Sequence, residues 1–295
     1  MADQSPVPGV LVAPDGAKIA YRLDRAPRAA TTLVLIHGLA SNMSRWAEFA
    51  RNTALSGSCN LLRIDLRGQG GSVVRGAAGM REWCADIAGI LRREGIPDAI
   101  LVGHCLGANV ALRFAAVHPG MSSGLVLIEP MPRDAFRGAL RIARLIRPAV
   151  LGAACAVRGI NALGLYRRSL ETLDLEALDR RARLAIATGA EGRKALEDFA
   201  SPLADLRCMP LAAYLQGMAA LFEPQPPLAE LRIPVLVLSA SRSSFTDPAR
   251  ARDLLSQLPE VEFRELPALH WIPTETPEEM RAAIEAWVSR RCEGA

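Results

Sequence analysis

Runs of five or six mostly apolar residues alternate along the chain with longer stretches whose apolar positions recur every three or four residues. The runs GVLVA at 9–13, KIAYRL at 18–23, TLVLIH at 32–37, NLLRID at 60–65, AILVGH at 99–104, GLVLIE at 124–129, PVLVLS at 234–239 and VEFREL at 261–266 predict eight strands. The first two flank Asp15-Gly16, a hairpin signal because the turn needs positive φ. The others are continuous apolar runs separated by helix-length segments, as strands buried on both faces require. The pattern predicts an α/β fold with a mostly parallel eight-stranded sheet flanked by helices.

The alternation stops after Glu129-Pro130 and resumes at IPVLVLS. Residues 131–233 read as helices without strands, a segment too long and too apolar for a loop. We expect a helical cap at 131–233, inserted after the sixth strand of a core formed by 1–130 and 234–295. In the stretch AFRGALRIARLIR, the residues Phe136, Leu140, Ile142, Leu145 and Ile146 gather on one helical face, with Arg137, Arg141, Arg144 and Arg147 on the remainder. The apolar face is expected to pack and the arginine face to point outward.

The chain has 295 residues, half of them apolar, enough for a sizeable core. Its start, MADQSPVPGV, lacks the positive charge and unbroken apolar run of a secretory signal, and no segment approaches a membrane span. These features predict a cytoplasmic protein without a membrane span. The six cysteines are scattered without a CxxC pair, so neither a disulfide framework nor a metal is expected, and no cofactor motif stands out. Gly68-Gln69-Gly70-Gly71 lacks the third glycine and following helix of a nucleotide-binding loop. The net charge is +4, but eight arginines between Arg133 and Arg168 face a single acid, Asp134. Such a segment suits a phosphate-bearing or acidic partner; without interleaved aromatics, nucleic acid is not expected.

The chemistry centres on LVGHCLGANVAL at 101–112. Cys105 sits at a predicted strand-to-helix turn between Gly103 and Gly107. Strand and helix approach so closely at such a turn that the flanking positions must be small. The helix starting at Leu106 aims its positive end and free amides at Cys105, which favours a thiolate and, later, an oxyanion.

With His37-Gly38 after one strand, Asp65-Leu66-Arg67-Gly68-Gln69-Gly70 after the next, the helical insertion, and Leu269-His270-Trp271 near the end, this elbow resembles the α/β-hydrolase fold family, as a capped member with cysteine in the nucleophile elbow. The resemblance implies Cys105 as nucleophile, His270 as base, and an oxyanion hole from the backbone N–H groups of Leu39 and Leu106. It leaves His37, His104 and His118 to the scaffold. Where the family commonly carries its aspartate, after the strand PVLVLS, this chain has Ser243. Asp247, just before Pro248, has the signature of a helix N-cap. Haloalkane dehalogenases take the acid from the end of the preceding core strand, and Glu129 occupies that place. Glu129 is therefore assigned as the triad acid, with Asp247 as the alternative.

A thiolate leaves more readily than an alkoxide, so activated acyl donors suit it best. The expected activity is an esterase- or thioesterase-type hydrolase cleaving a thioester, lactone or activated carboxylic ester through a cysteinyl acyl-enzyme. An acyltransferase using the same intermediate and a non-catalytic ligand-binding protein are the alternatives. The expected partner is a small-molecule acyl substrate, with a coenzyme A thioester or acidic carrier protein as the charged form. The other five cysteines read as small buried hydrophobes.

Overall fold

A computed structural model describes residues 7–27, 29, 31–188 and 201–292, so the MADQSP start and residues 189–200 of the expected cap fall outside it. Eight strands form one sheet: β1 (Val7–Val12), β2 (Lys18–Asp24), β3 (Thr31–Ile36), β4 (Cys59–Ile64), β5 (Ala99–His104), β6 (Ser122–Ile128), β7 (Val235–Ala240) and β8 (Val261–Leu266). Each lies within two residues of its sequence-based bounds. Their order is β1-β2-β4-β3-β5-β6-β7-β8, antiparallel where β1 meets β2 and β2 meets β4, and parallel elsewhere.

The central strands bury both faces, which explains their unbroken apolar runs. Val34, Ile36 and Leu101 pack with residues of α2 (Met80–Arg93) and α3 (Leu106–Val117) on one side. On the other, Leu33, Leu35 and Val102 pack against Trp46, Phe49 of α1 (Ala47–Asn52), Ile284 and Trp287. Burying each large apolar side chain contributes roughly 1.5–3 kcal/mol. The same packing fixes the strand ends, from which the candidate catalytic side chains project.

Between β6 and β7 the described residues form helices and no strand. They are α4 (Gly138–Ala143), α5 (Arg147–Ala162), α6 (Leu175–Thr188), α7 (Pro202–Cys208) and α8 (Leu211–Leu221). After β7 come α9 (Pro248–Leu255), α10 (Ile272–Glu275) and α11 (Pro277–Cys292). No helix among the described residues is long and apolar enough to cross a membrane.

The helical face expected over 136–147 does not form. The chain breaks into a 3₁₀ turn at Arg144–Ile146 between α4 and α5, and the tighter winding rotates the faces out of register. Ile142, Leu145 and Ile146 stand 69%, 72% and 55% exposed, the reverse of the expectation. Arg144 and Arg147 turn back instead, Arg144 pairing with Asp134 and Arg147 with Glu223 at 3.0 Å. The cysteine expectation is also corrected: all six are free, but only Cys59 and Cys84 are buried, and Cys155 and Cys292 are exposed at helix surfaces.

Candidate active site

The elbow follows from two glycines. A Cβ on Gly103 would lie 2.3 Å from the Gly107 carbonyl oxygen, and one on Gly107 would lie 2.3 Å from that of Ile36, so neither position accepts a side chain without backbone movement. Between them Cys105 adopts φ 55°, in the left-handed region, and ends β5 just before α3 begins. Its N–H donates to the Ile128 carbonyl at 2.9 Å, tying the strained residue to β6. The loop after β3 passes directly over it: a Cβ on Gly38 would lie 3.3 Å from the Cys105 Cβ. Among the described residues no hydrogen bond uses the Leu39 or Leu106 amide N–H, so both donors are free for an incoming oxygen.

His270 follows β8 and is buried beside Cys105. Burial alone depresses its basicity, but the charge and hydrogen bond of Cys105, with the bond and charge of Glu129, outweigh it and raise the pKa to about 9. Its Nδ1 lies 3.2 Å from Glu129 Oε2. Glu129 has φ 47° and is 3% exposed. Its Oε1 accepts the Ala240 N–H at 2.6 Å and its Oε2 accepts the Ser243 hydroxyl at 2.8 Å. The Phe245 ring stands edge-on to the imidazole, centroids 4.6 Å apart. Cys105, His270 and Glu129 thus form one connected line.

Asp247 lies elsewhere. Its Oδ1 accepts the Arg250 N–H at 3.1 Å as the N-cap of α9, and it makes no bond with His270 among the described residues. His37 donates from Nδ1 to the Gly38 carbonyl at 2.8 Å, while its Nε2 accepts the Leu66 N–H at 3.0 Å, bracing the loop. His104, its basicity held well down by burial, meets the His270 carbonyl through Nε2 at 3.1 Å. His118 caps the end of α3.

Two supporting residues escaped the sequence reading. Ser243 stands where the family commonly carries an aspartate, and its hydroxyl donates to the Glu129 carboxylate one strand away. Glu275, on α10, accepts the backbone N–H groups of Leu269, His270 and Trp271 at 2.9, 3.0 and 2.8 Å, and so shapes the loop that carries His270. Its position five residues after the histidine, beside a short helix, was a signal too weak to read alone.

A cavity of about 650 Å³ opens above this line. The core contributes Gly38, Leu39, Cys105 and His270 to its walls, and the helical segment contributes Leu140, Leu178, Met218 and others. The walls are chiefly apolar, as an acyl-binding pocket requires.

The sequence matches the model of the alpha/beta hydrolase family over residues 33–283, and the chain belongs to that family. An sn-1-specific diacylglycerol lipase of Mus musculus is 21% identical over 272 residues, 92% of this chain and 85% of that one. A pimeloyl-[acyl-carrier protein] methyl ester esterase of Vibrio cholerae is 36% identical over 109 residues, 37% of this chain and 40% of that one. Several curated relatives are matched over only 28% to 40% of their own length. Among solved structures, a hydrolase from Pseudomonas aeruginosa superposes with a TM-score of 0.69 at 21% identity, covering 95% of this chain and 98% of that one. The family's curated relatives that match this chain include esterases and lipases.

Proposed function

We propose that this hydrolase cleaves thioesters, lactones or activated carboxylic esters through an acyl-enzyme on Cys105, beneath a helical cap formed by the segment between β6 and β7. The hydrogen-bonded line through His270, with Cys105 on one side and Glu129 on the other, is the observation that carries the reading. Glu129 holds the Nδ1–H tautomer and leaves Nε2 to exchange protons with the sulfur and the substrate. The thiolate attacks the acyl carbon, a C–S bond forms, and the carbonyl oxygen becomes an oxyanion held by the Leu39 and Leu106 N–H groups. Collapse breaks the bond to the leaving group, which takes the proton from His270. Water then attacks the thioester, His270 takes its proton, and collapse expels the thiolate and frees the acid.

The sulfur decides the substrate class. A tetrahedral intermediate from an alkyl ester would expel the thiolate and revert, whereas thiol, enol and aryl leaving groups compete with it. A coenzyme A or carrier-bound donor would meet Arg137 and Arg141, the exposed arginines at α4 that make no ion pair among the described residues. We read the location as cytoplasmic, which suits six unpaired cysteines.

The test is intact-mass spectrometry after exposure to p-nitrophenyl esters and acyl thioesters, with iodoacetamide as control. One acyl group should appear on Cys105 and vanish in Cys105→Ala. Full turnover by Cys105→Ala would falsify the acyl-enzyme. A chase of the acylated protein with water, alcohols and amines separates hydrolysis from acyl transfer.

A further inference from the structure

The cavity wall above Cys105 carries two polar side chains that have no hydrogen-bond partner among the described residues. Asp205, on α7, and Tyr214, on α8, both line the cavity. Among the described residues the Asp205 carboxylate accepts no hydrogen bond and joins no ion pair, and the Tyr214 hydroxyl has no hydrogen-bond partner. Burial raises the Asp205 pKa to about 7, with no partner to offset it. Burial, then the charge of Asp205, lifts Tyr214 to about 12. The two groups sense each other's charge without bonding.

A half-buried carboxyl without a partner among the described residues does less for the fold than an apolar residue in the same largely apolar wall would. The position of Tyr214 indicates what such a group is for. A Cβ on Gly217 would lie 2.4 Å from Leu39 Cδ1, so α8 rests at Gly217 on the loop that carries the candidate oxyanion donor. Tyr214 is three residues earlier on the cavity side, roughly 4.5 Å along the helix axis. Tyr214 thus lies within one helical turn of the loop that passes over Cys105, on the wall of the same cavity.

We infer that Asp205 and Tyr214 form a subsite for a hydroxyl group on the acyl portion of the substrate, the hydroxyl donating to Asp205 and accepting from Tyr214. A hydroxyl is the smallest group that can satisfy an acceptor and a donor together. An ammonium could serve only Asp205, in a cavity also lined by Arg181. The inference rests on the acyl-substrate reading above and narrows it to hydroxyacyl donors.

The test uses N-acetylcysteamine thioesters of matched alkanoic and hydroxyalkanoic acids, with the hydroxyl stepped from carbon 2 to carbon 4. One hydroxyl position should raise the rate of Cys105 acylation roughly tenfold over the unsubstituted chain, the worth of one or two added hydrogen bonds. The near-isosteric variants Asp205→Leu and Tyr214→Phe, which remove the acceptor and the donor, should bring that ratio close to one, with melting temperatures confirming that both fold. Dissociation constants for the N-methyl amides of the same acids, which carry no leaving group, are measured in parallel. A hydroxyl preference in binding without acylation would keep the subsite and remove the acyl-enzyme. Acylation with ratios within twofold at every position, or ratios unchanged in both variants, would remove the subsite and leave the acyl-enzyme standing.

Discussion

Replacing Glu129 by glutamine changes one atom type at the centre of three hydrogen bonds. The carboxylate accepts from the Ala240 N–H at 2.6 Å, the Ser243 hydroxyl at 2.8 Å and His270 Nδ1 at 3.2 Å. An amide has one acceptor oxygen. The Ala240 backbone donor cannot turn away, so the oxygen stays there and the NH₂ faces Ser243 and His270. Ser243 can rotate its hydroxyl to accept. His270 can accept only by moving its proton to Nε2, the tautomer that cannot take a proton from Cys105. Loss of a charge-assisted hydrogen bond costs about 1.5–3 kcal/mol, or roughly 10- to 150-fold in rate, and the wrong tautomer extends the range toward about 10⁴-fold. Stability should fall by only about 1 kcal/mol, because most partners re-pair. Single-turnover acylation by an aryl thioester measures the rate, and urea unfolding measures the stability. Asp247→Asn is the control, expected to lose about 1 kcal/mol through its helix cap and keep near-full activity. If Glu129→Gln acylates at more than half the normal rate while Asp247→Asn is crippled, the acid is Asp247.

Three further outcomes follow from the same geometry. Gly107→Ala should gain about 1 kcal/mol by helix propensity alone, yet its Cβ would lie 2.3 Å from the Ile36 carbonyl oxygen, so a net loss of about 3 kcal/mol in thermal or urea unfolding is expected; a neutral result would contradict the elbow packing. His270, raised above its ordinary value of 6.5 to about 9, favours the protonated form in the fold: its contribution to stability is complete below pH 6.5 and disappears as pH rises through 9. The kcat/KM profile should show an alkaline limb near pH 9 that moves down in Glu129→Gln, and a limb fixed in both proteins would sink that account. Finally, Ser243 Oγ lies 2.8 Å from the Glu129 oxygen that meets His270, so Glu129→Ala with Ser243→Asp should recover about tenfold of the activity lost in Glu129→Ala alone; no recovery would show that the carboxylate cannot be moved.

The sheet was legible because strands buried on both faces leave unbroken apolar runs, and their ends can drift by a residue or two without changing a face. The elbow was legible for a different reason: Gly103 and Gly107 are glycine because backbone atoms lie 2.3 Å from where a Cβ would be. Residues 136–147 misled because periodicity cannot register a 3₁₀ turn at Arg144–Ile146, nor the pull of Asp134 and Glu223 on the nearby arginines. The candidate acid was legible only as a choice between two carboxylates. What separates them is tertiary: β6 and β7 lie side by side, so the end of one brings Glu129 against Ala240 at the end of the other and Ser243 in the loop beyond it. Glu275 and the pair Asp205 and Tyr214 were invisible, since each matters only through what the fold sets beside it.

Backbone strain bears on whether the pocket is a working site or only a scaffold. Among the described residues three non-glycine positions have positive φ: Ala40, Cys105 and Glu129. Ala40 adjoins the candidate oxyanion donor Leu39; the other two are the candidate nucleophile and acid. Each such residue costs of order 1–3 kcal/mol, and a glycine would relieve it. At Cys105 and Glu129 the parallel ladder holds the strain, since the Cys105 N–H donates to Ile128 and the Glu129 N–H to Leu238, each one step past the end of its strand. The ladder thus swings two neighbouring side chains out of the pleat toward the same imidazole, Cys105 from β5 and Glu129 from β6. The proposed acyl-enzyme gives a use to the buried carboxylate aimed at a buried histidine and to the thiol raised on strained backbone beneath two unused amides. The proposed acyl transfer through Cys105 would use all of them, the imidazole and carboxylate for the proton and the two amides for the oxyanion.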